Sequence, residues 1–87
     1  MKIKDGYLLR TVADTHVVVP IAERVIEFKG MMILNEVSAC IWEFLREERG
    51  HEEVIEHILS TFDVDRETAE ADFMEFLGKL ENSGVLV

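Results

Sequence analysis

Met31-Met32-Ile33-Leu34-Asn35-Glu36-Val37-Ser38-Ala39-Cys40-Ile41-Trp42-Glu43-Phe44-Leu45 is a short apolar run that passes directly into a capped helix. Asn35 suits the N-cap, because its side-chain oxygen can accept from a backbone N–H one turn into the helix, and Glu36 then sits at the positive end of the dipole. Val37, Ile41, Phe44 and Leu45 recur at helical spacing, and Trp42 lies toward the same side. One broad face is therefore apolar and demands burial.

On the N-terminal side, residues 7–12 and 16–20 are rich in β-branched and aromatic side chains. Ala13-Asp14-Thr15 between them has the length and chemistry of a tight connection, so the pair reads as a β-hairpin. Pro20 ends the second strand or lies at its edge, because it has no N–H to give to a ladder. Val25-Ile26-Glu27-Phe28 alternates weakly, Lys29-Gly30 supplies a turn, and residues 31–34 form a further strand, which makes 25–34 a second, smaller hairpin.

On the C-terminal side, Arg49-Gly50 interrupts the helical pattern. A second helix over 52–61, with His51 as its cap, buries Val54, Ile55, Ile58, Leu59 and Phe62. Asp65 announces a third helix, which carries Ala69, Phe73, Phe76, Leu77 and Leu80 to a stop at Asn82-Ser83-Gly84. The tail Val85-Leu86-Val87 is apolar and packs back onto the body. The order is thus a small antiparallel sheet, the N-terminal hairpin plus a third strand, followed by three α-helices. That is an α+β, winged-helix-like arrangement in which residues 1–87 make a single domain.

Size and charge narrow the function. A chain of 87 residues buries only about 60% of its unfolded surface, which leaves little depth for an enzyme cleft. Hydrophobic residues at 48% and charged residues at 31% are ordinary for a globular domain and argue against disorder. Eighteen acidic against nine basic residues give a formal charge of -9, which repels a phosphate backbone and counts against nucleic-acid binding. No apolar run approaches the roughly 20 residues that span a bilayer, and Met1-Lys2-Ile3-Lys4-Asp5 lacks a signal-peptide apolar region, so no membrane role and a cytoplasmic location are expected.

Catalytic chemistry finds no foothold. Cys40, the single cysteine, forms no internal disulfide and reads as a small core residue. His51 and His57 stand six residues apart, about 240° round a helix, and do not converge on one ion. His16 lies far from both. There is no Gly-rich phosphate loop and no Gly-x-Ser-x-Gly elbow. The expectation is a protein that is not an enzyme and carries no cofactor and no metal.

Several pieces, in this order and at this spacing, resemble the PqqD family, small domains also called RiPP recognition elements. They are Leu34-Asn35-Glu36 with Ile41-Trp42 and Leu45; Phe62-Asp63-Val64-Asp65; Asp72-Phe73 with Phe76-Leu77 and Leu80; and the closing Gly84-Val85-Leu86. The resemblance covers nearly the whole chain. It implies a non-catalytic peptide chaperone that binds the leader segment of a ribosomally synthesised precursor peptide and presents it to a modifying enzyme, often a radical SAM protein. Pyrroloquinoline quinone synthesis is one pathway of this kind. In such domains the leader adds as a β-strand to the edge of the third strand, beside the third helix. His51, where Ser or Thr often caps the second helix, departs from the pattern, as does the Glu27-Phe28-Lys29-Gly30 segment.

The residues support strand addition on their own terms. Residues 31–34 carry no charge and no proline to discourage pairing, so Met31, Met32, Ile33 and Leu34 can accept a partner strand by β-augmentation. Flexible thioethers at Met31 and Met32 suit a surface that repacks around different side chains, and suit an ordinary rim as well. Ala69, Asp72, Phe73, Phe76 and Leu80 are candidates for the helical wall of a peptide groove, and the apolar ones among them also suit the core. Glu70, Glu75 and Glu81 read as a solvated face, or as an acidic flank that steers a basic partner. A free sheet edge equally admits a second copy of this chain, a homodimer. The rival functions are a structural accessory subunit of a modifying enzyme and a winged-helix DNA-binding regulator. The second would need a basic third helix, which is absent.

Overall fold

The computed structural model describes residues 1–21 and 31–87. Strands β1 (Tyr7–Val12) and β2 (Thr15–Pro20) form the expected hairpin, and β3 (Met32–Leu34) joins β2, giving an antiparallel sheet in the order β1-β2-β3. Helices α1 (Glu36–Phe44), α2 (His51–Thr61) and α3 (Arg66–Ser83) follow. The expected α+β arrangement of a small antiparallel sheet and three helices is the observed one. The proposed strand and turn at 25–30 lie outside the described residues.

The hairpin turn is one residue shorter than its sequence suggests. Ala13 and Asp14 both take left-handed backbone angles, φ 49° and 67°, and Thr15 already belongs to β2. Two consecutive left-handed residues make a type I′ turn, whose twist matches that of the flanking strands.

Helix boundaries follow local chemistry. Asn35 Oδ1 accepts from the Ser38 N–H at 2.8 Å, and Asp65 Oδ1 from the Thr68 N–H at 2.8 Å, so α1 and α3 start where expected. That hydrogen bond from Thr68 holds the Asp65 carboxyl below its ordinary range. The cap of α2 is Gly50, not His51, which is the first helical residue. The Gly50 N–H donates to Glu53 Oε1 at 2.9 Å, so the side chain three residues on satisfies the helix entry and His51 is freed to face α3. Gly84 ends α3 at φ 68°, the left-handed C-cap for which glycine is suited.

The core lies between the sheet and the helices. Val18, Ile41, Trp42, Leu45, Val54, Ile55, Ile58, Ala69, Phe73, Leu80 and Val85 have no solvent exposure. Tyr7 meets Trp42 edge to face, with ring centroids 6.0 Å apart. The two termini close on each other: Ile3 bridges Leu86, the Lys4 N–H donates to the Val85 carbonyl at 2.8 Å, and the Val87 N–H to that of Lys2 at 2.9 Å. The Ile3 N–H donates to the Leu45 carbonyl at 2.8 Å, which ties this closure to the end of α1.

Candidate functional site

The pairing register decides which backbone groups of β3 are open. A two-residue turn makes Val12 and Thr15 a hydrogen-bonded pair, and antiparallel ladders alternate from there, so Arg10↔Val17 and Leu8↔Val19 are bonded pairs too. The N–H and C=O of His16 and Val18 then face the other way, toward β3, where they meet Leu34 and Met32. Ile33, opposite Val17, is left with its N–H and C=O directed away from the sheet. Among the described residues nothing continues the sheet beyond β3.

Side chains alternate with the backbone. Leu34 is buried and Met32 half-buried, both on the core face, whereas Ile33 projects from the opposite face with 66% exposure. Met31, just before the strand, is also exposed.

A pocket adjoins the C-terminal end of β3, between the start of α1 and the middle of α3. Asn35, Val37, Ser38, Asp72, Glu75, Phe76 and Lys79 line it. The α3 members stand at i, i+3, i+4 and i+7, one face of that helix. Phe76 gives this wall an apolar base, being 3% exposed, and Asp72 is half-buried. Among the described residues Asp72, Glu75 and Lys79 make no ion pair.

The structure therefore brings Asp72 and Phe76 together at the end of β3. Ala69, Phe73 and Leu80, on the adjoining stripe of α3, are fully buried and line no part of this pocket; they hold the helix against the core.

The opposite flank of α3 is occupied by the protein itself. Arg66 bridges the two helices, donating to Glu52, to Glu56 at 3.2 Å and to Glu70 at 3.3 Å. Its hydrogen bond pulls the Glu52 carboxyl below the ordinary carboxylate range, and the Glu52 carboxylate raises Arg66 in return. His51 Nε2 lies 2.8 Å from Glu70 Oε2, and its ring meets the edge of Phe73 at 5.0 Å. Glu70, read from sequence as part of a solvated face, thus belongs to an interhelical network. His57 stacks flat on Phe44, with centroids 4.0 Å apart, and Arg49 covers that ring at 4.2 Å. Burial pushes the half-buried Cys40 thiol upward, the direction that disfavours a nucleophile. No group of three His, Cys, Asp or Glu side chains among the described residues could hold a metal ion. No helix of the described residues is long and apolar enough to cross a membrane.

A strand edge unoccupied among the described residues, next to a helical groove, is the geometry expected from the family resemblance, and the family model for coenzyme PQQ synthesis protein D (PqqD) matches residues 15–86. This chain belongs to the PqqD family. The match begins at the first residue of β2 and takes in β3 and all three helices, so the whole candidate site falls within the family's span. Among solved structures, one titled "TbiB1 in Complex with the TbiA(beta) Leader Peptide" is similar with a TM-score of 0.73 and 30% identity, over 99% of this chain and 94% of that one. A comparison with curated proteins gives no match.

Within this PqqD-family fold, sequence reasoning does not assign Asn35, Val37, Ser38, Glu75 and Lys79 to the pocket. Asn35, Val37 and Ser38 are legible only as helix start. For Glu75 and Lys79 a signal exists: with Asp72 and Phe76 they repeat at the spacing of one helix face, next to the buried stripe.

Proposed function

We propose that this chain is a leader-peptide recognition element. It binds the leader segment of a ribosomally synthesised precursor peptide by adding it as a strand beside β3, and presents the remainder to a modifying enzyme, a radical SAM protein being the class the family resemblance implies. The chain itself carries out no chemistry. Within residues 31–34 Ile33 supplies the outward pairing groups, whereas those of Met32 and Leu34 are spent on β2; Asp72 and Phe76 contact the peptide, and Ala69, Phe73 and Leu80 fix the helix that carries them.

One observation carries this reading: the outward N–H and C=O of Ile33, on the edge of a chain that is 30% identical to a protein solved with a leader peptide bound. Backbone pairing contributes affinity without regard to sequence, and the flanking groove contributes selectivity. An edge strand of three residues, flanked by the exposed Met31, is short enough to limit self-association.

The test is calorimetric titration with synthetic leaders of precursor peptides encoded beside the gene. Saturable binding by the isolated chain is expected, and Ile33→Pro weakens it more than tenfold while the helical circular-dichroism signal persists. A leader N-methylated at the residue paired with Ile33 loses affinity to the same extent with the protein unaltered. Undiminished binding in both cases overturns strand addition at β3, and binding to the enzyme alone favours an accessory-subunit role.

A further inference from the structure

We infer that this chain selects extended segments in which two side chains, two residues apart, carry opposite charges: a basic one facing Asp72 and Glu75, and an acidic one facing Lys79. This rests on the strand-addition reading above and deepens it from a class of ligand to a pattern of sequence.

The ladder parity sets which residues of the visitor matter. A residue hydrogen-bonded to Ile33 shares the outer face with it, as Val17 and Arg10 do along the same row. Its two neighbours point to the inner face, where Leu34 and Met32 lie and where the α1–α3 pocket adjoins the strand. Specificity therefore resides in alternate residues, two apart, which in a strand are about 6.7 Å from each other.

The helix matches that spacing. Glu75 and Lys79 are separated by four residues, about 6 Å along α3, so successive inward side chains of a strand running beside the helix meet first the acidic pair and then the lysine. Asp72 lies about 4.5 Å before Glu75 along the axis, on the side away from Lys79, so the two carboxylates form the acidic end of this face and the lysine its basic end. Phe76 is buried at the base of the pocket and Asn35, Val37 and Ser38 complete its lining, so the surface it offers is mainly polar and suits a charged head group. None of the three charges is paired within the described residues. At the other flank Arg66, Glu70, Glu52 and Glu56 are taken up by the interhelical network.

A random 12-residue peptide library displayed on phage, selected on the purified chain, tests the pattern whatever the sequence of the natural peptide. The expected consensus places Lys or Arg two positions from Asp or Glu. Selection on the Asp72→Lys, Glu75→Lys double variant replaces the basic residue by an acidic one, and selection on Lys79→Glu reverses the other position. A synthetic consensus peptide binds about threefold to tenfold more tightly than its charge-swapped counterpart at low salt, and the advantage shrinks as salt rises. The isosteric Asp72→Asn, Glu75→Gln variant, which preserves shape, loses the preference for a basic residue. A consensus without charges two apart, or one unchanged in the charge-reversed variants, overturns the inference. The same selection on Ile33→Pro separates the two readings. Binders that vanish there while ignoring the charge reversals leave strand addition standing and remove the charge rule. Binders indifferent to Ile33→Pro, or none from the unaltered chain, remove both.

Discussion

The two flanks of α3 use the same residue types for opposite ends. Toward α2, Arg66 and Glu70 are bound into a network with Glu52, Glu56 and His51 that joins two helices. Toward β3, Asp72, Glu75 and Lys79 line a pocket and pair with nothing among the described residues. Exposed ion pairs add little to stability individually, but a guanidinium shared among three carboxylates fixes the angle of one helix against another. Arg66 and Glu70 find their counterparts within the fold, whereas the charges lining the pocket next to β3 find none among the described residues.

Removing what both flanks share should produce the largest effect. Phe73→Ala empties a fully buried site between the networked and the open side, and an unfolding titration should show a loss of about 3–5 kcal/mol. Peptide affinity of the folded fraction then falls because α3 loses its seat. An intact groove affinity with a loosened α2–α3 pair would show the flanks to be mechanically independent.

Asn35 sharpens the comparison, because it caps α1 and also lines the groove. Asn35→Ala should cost about 1 kcal/mol of stability and alter peptide affinity. Asn35→Ser keeps the cap, so chemical denaturation returns near the parent value while a change in peptide affinity persists. If serine restores both, Asn35 acts on the groove only through the helix it starts.

The smallest effect concerns the networked flank alone. Arg66→Ala should lower the melting temperature at neutral pH and leave peptide affinity unchanged. Because the folded chain holds the Glu52 and Asp65 carboxyls below their ordinary values, the stability they supply is fully present above the ordinary carboxylate range and is lost as pH falls through and below about 4. Thermal melts of the two proteins should therefore converge in acid. A gap that stays constant down to pH 3 would place the role of Arg66 in packing and not in charge.

Much of this is legible in one dimension. Asn35, Asp65 and Gly84 mark helix ends through groups that act within a single turn, and the stripes at 54, 55, 58 and at 69, 73, 76, 80 reveal buried faces by their period. His51 reads wrongly as a cap because the actual device, a glycine N–H held by Glu53, has no cap side chain to recognise. The partnership of Glu70 with His51 is hidden because it crosses from one helix to another, 19 residues away in sequence, as do those of Arg66 with Glu52 and Glu56, 14 and 10 residues away.

One-dimensional pattern was thus enough for the order of elements, the caps of α1 and α3 and the buried stripes, which depend on neighbours a few residues apart, and for the family, which depends on the order and spacing of such pieces. Only the tertiary structure decided which amide of β3 faces outward. That orientation descends from the hairpin turn through two successive ladders: a turn of two residues, Ala13 and Asp14, directs the Ile33 N–H away from β2, whereas the three-residue connection suggested by the sequence would have handed it to β2. A one-residue difference in a distant loop reverses every hydrogen bond of an alternating ladder, so the edge on which binding depends is a property of pairing and not of any residue alone.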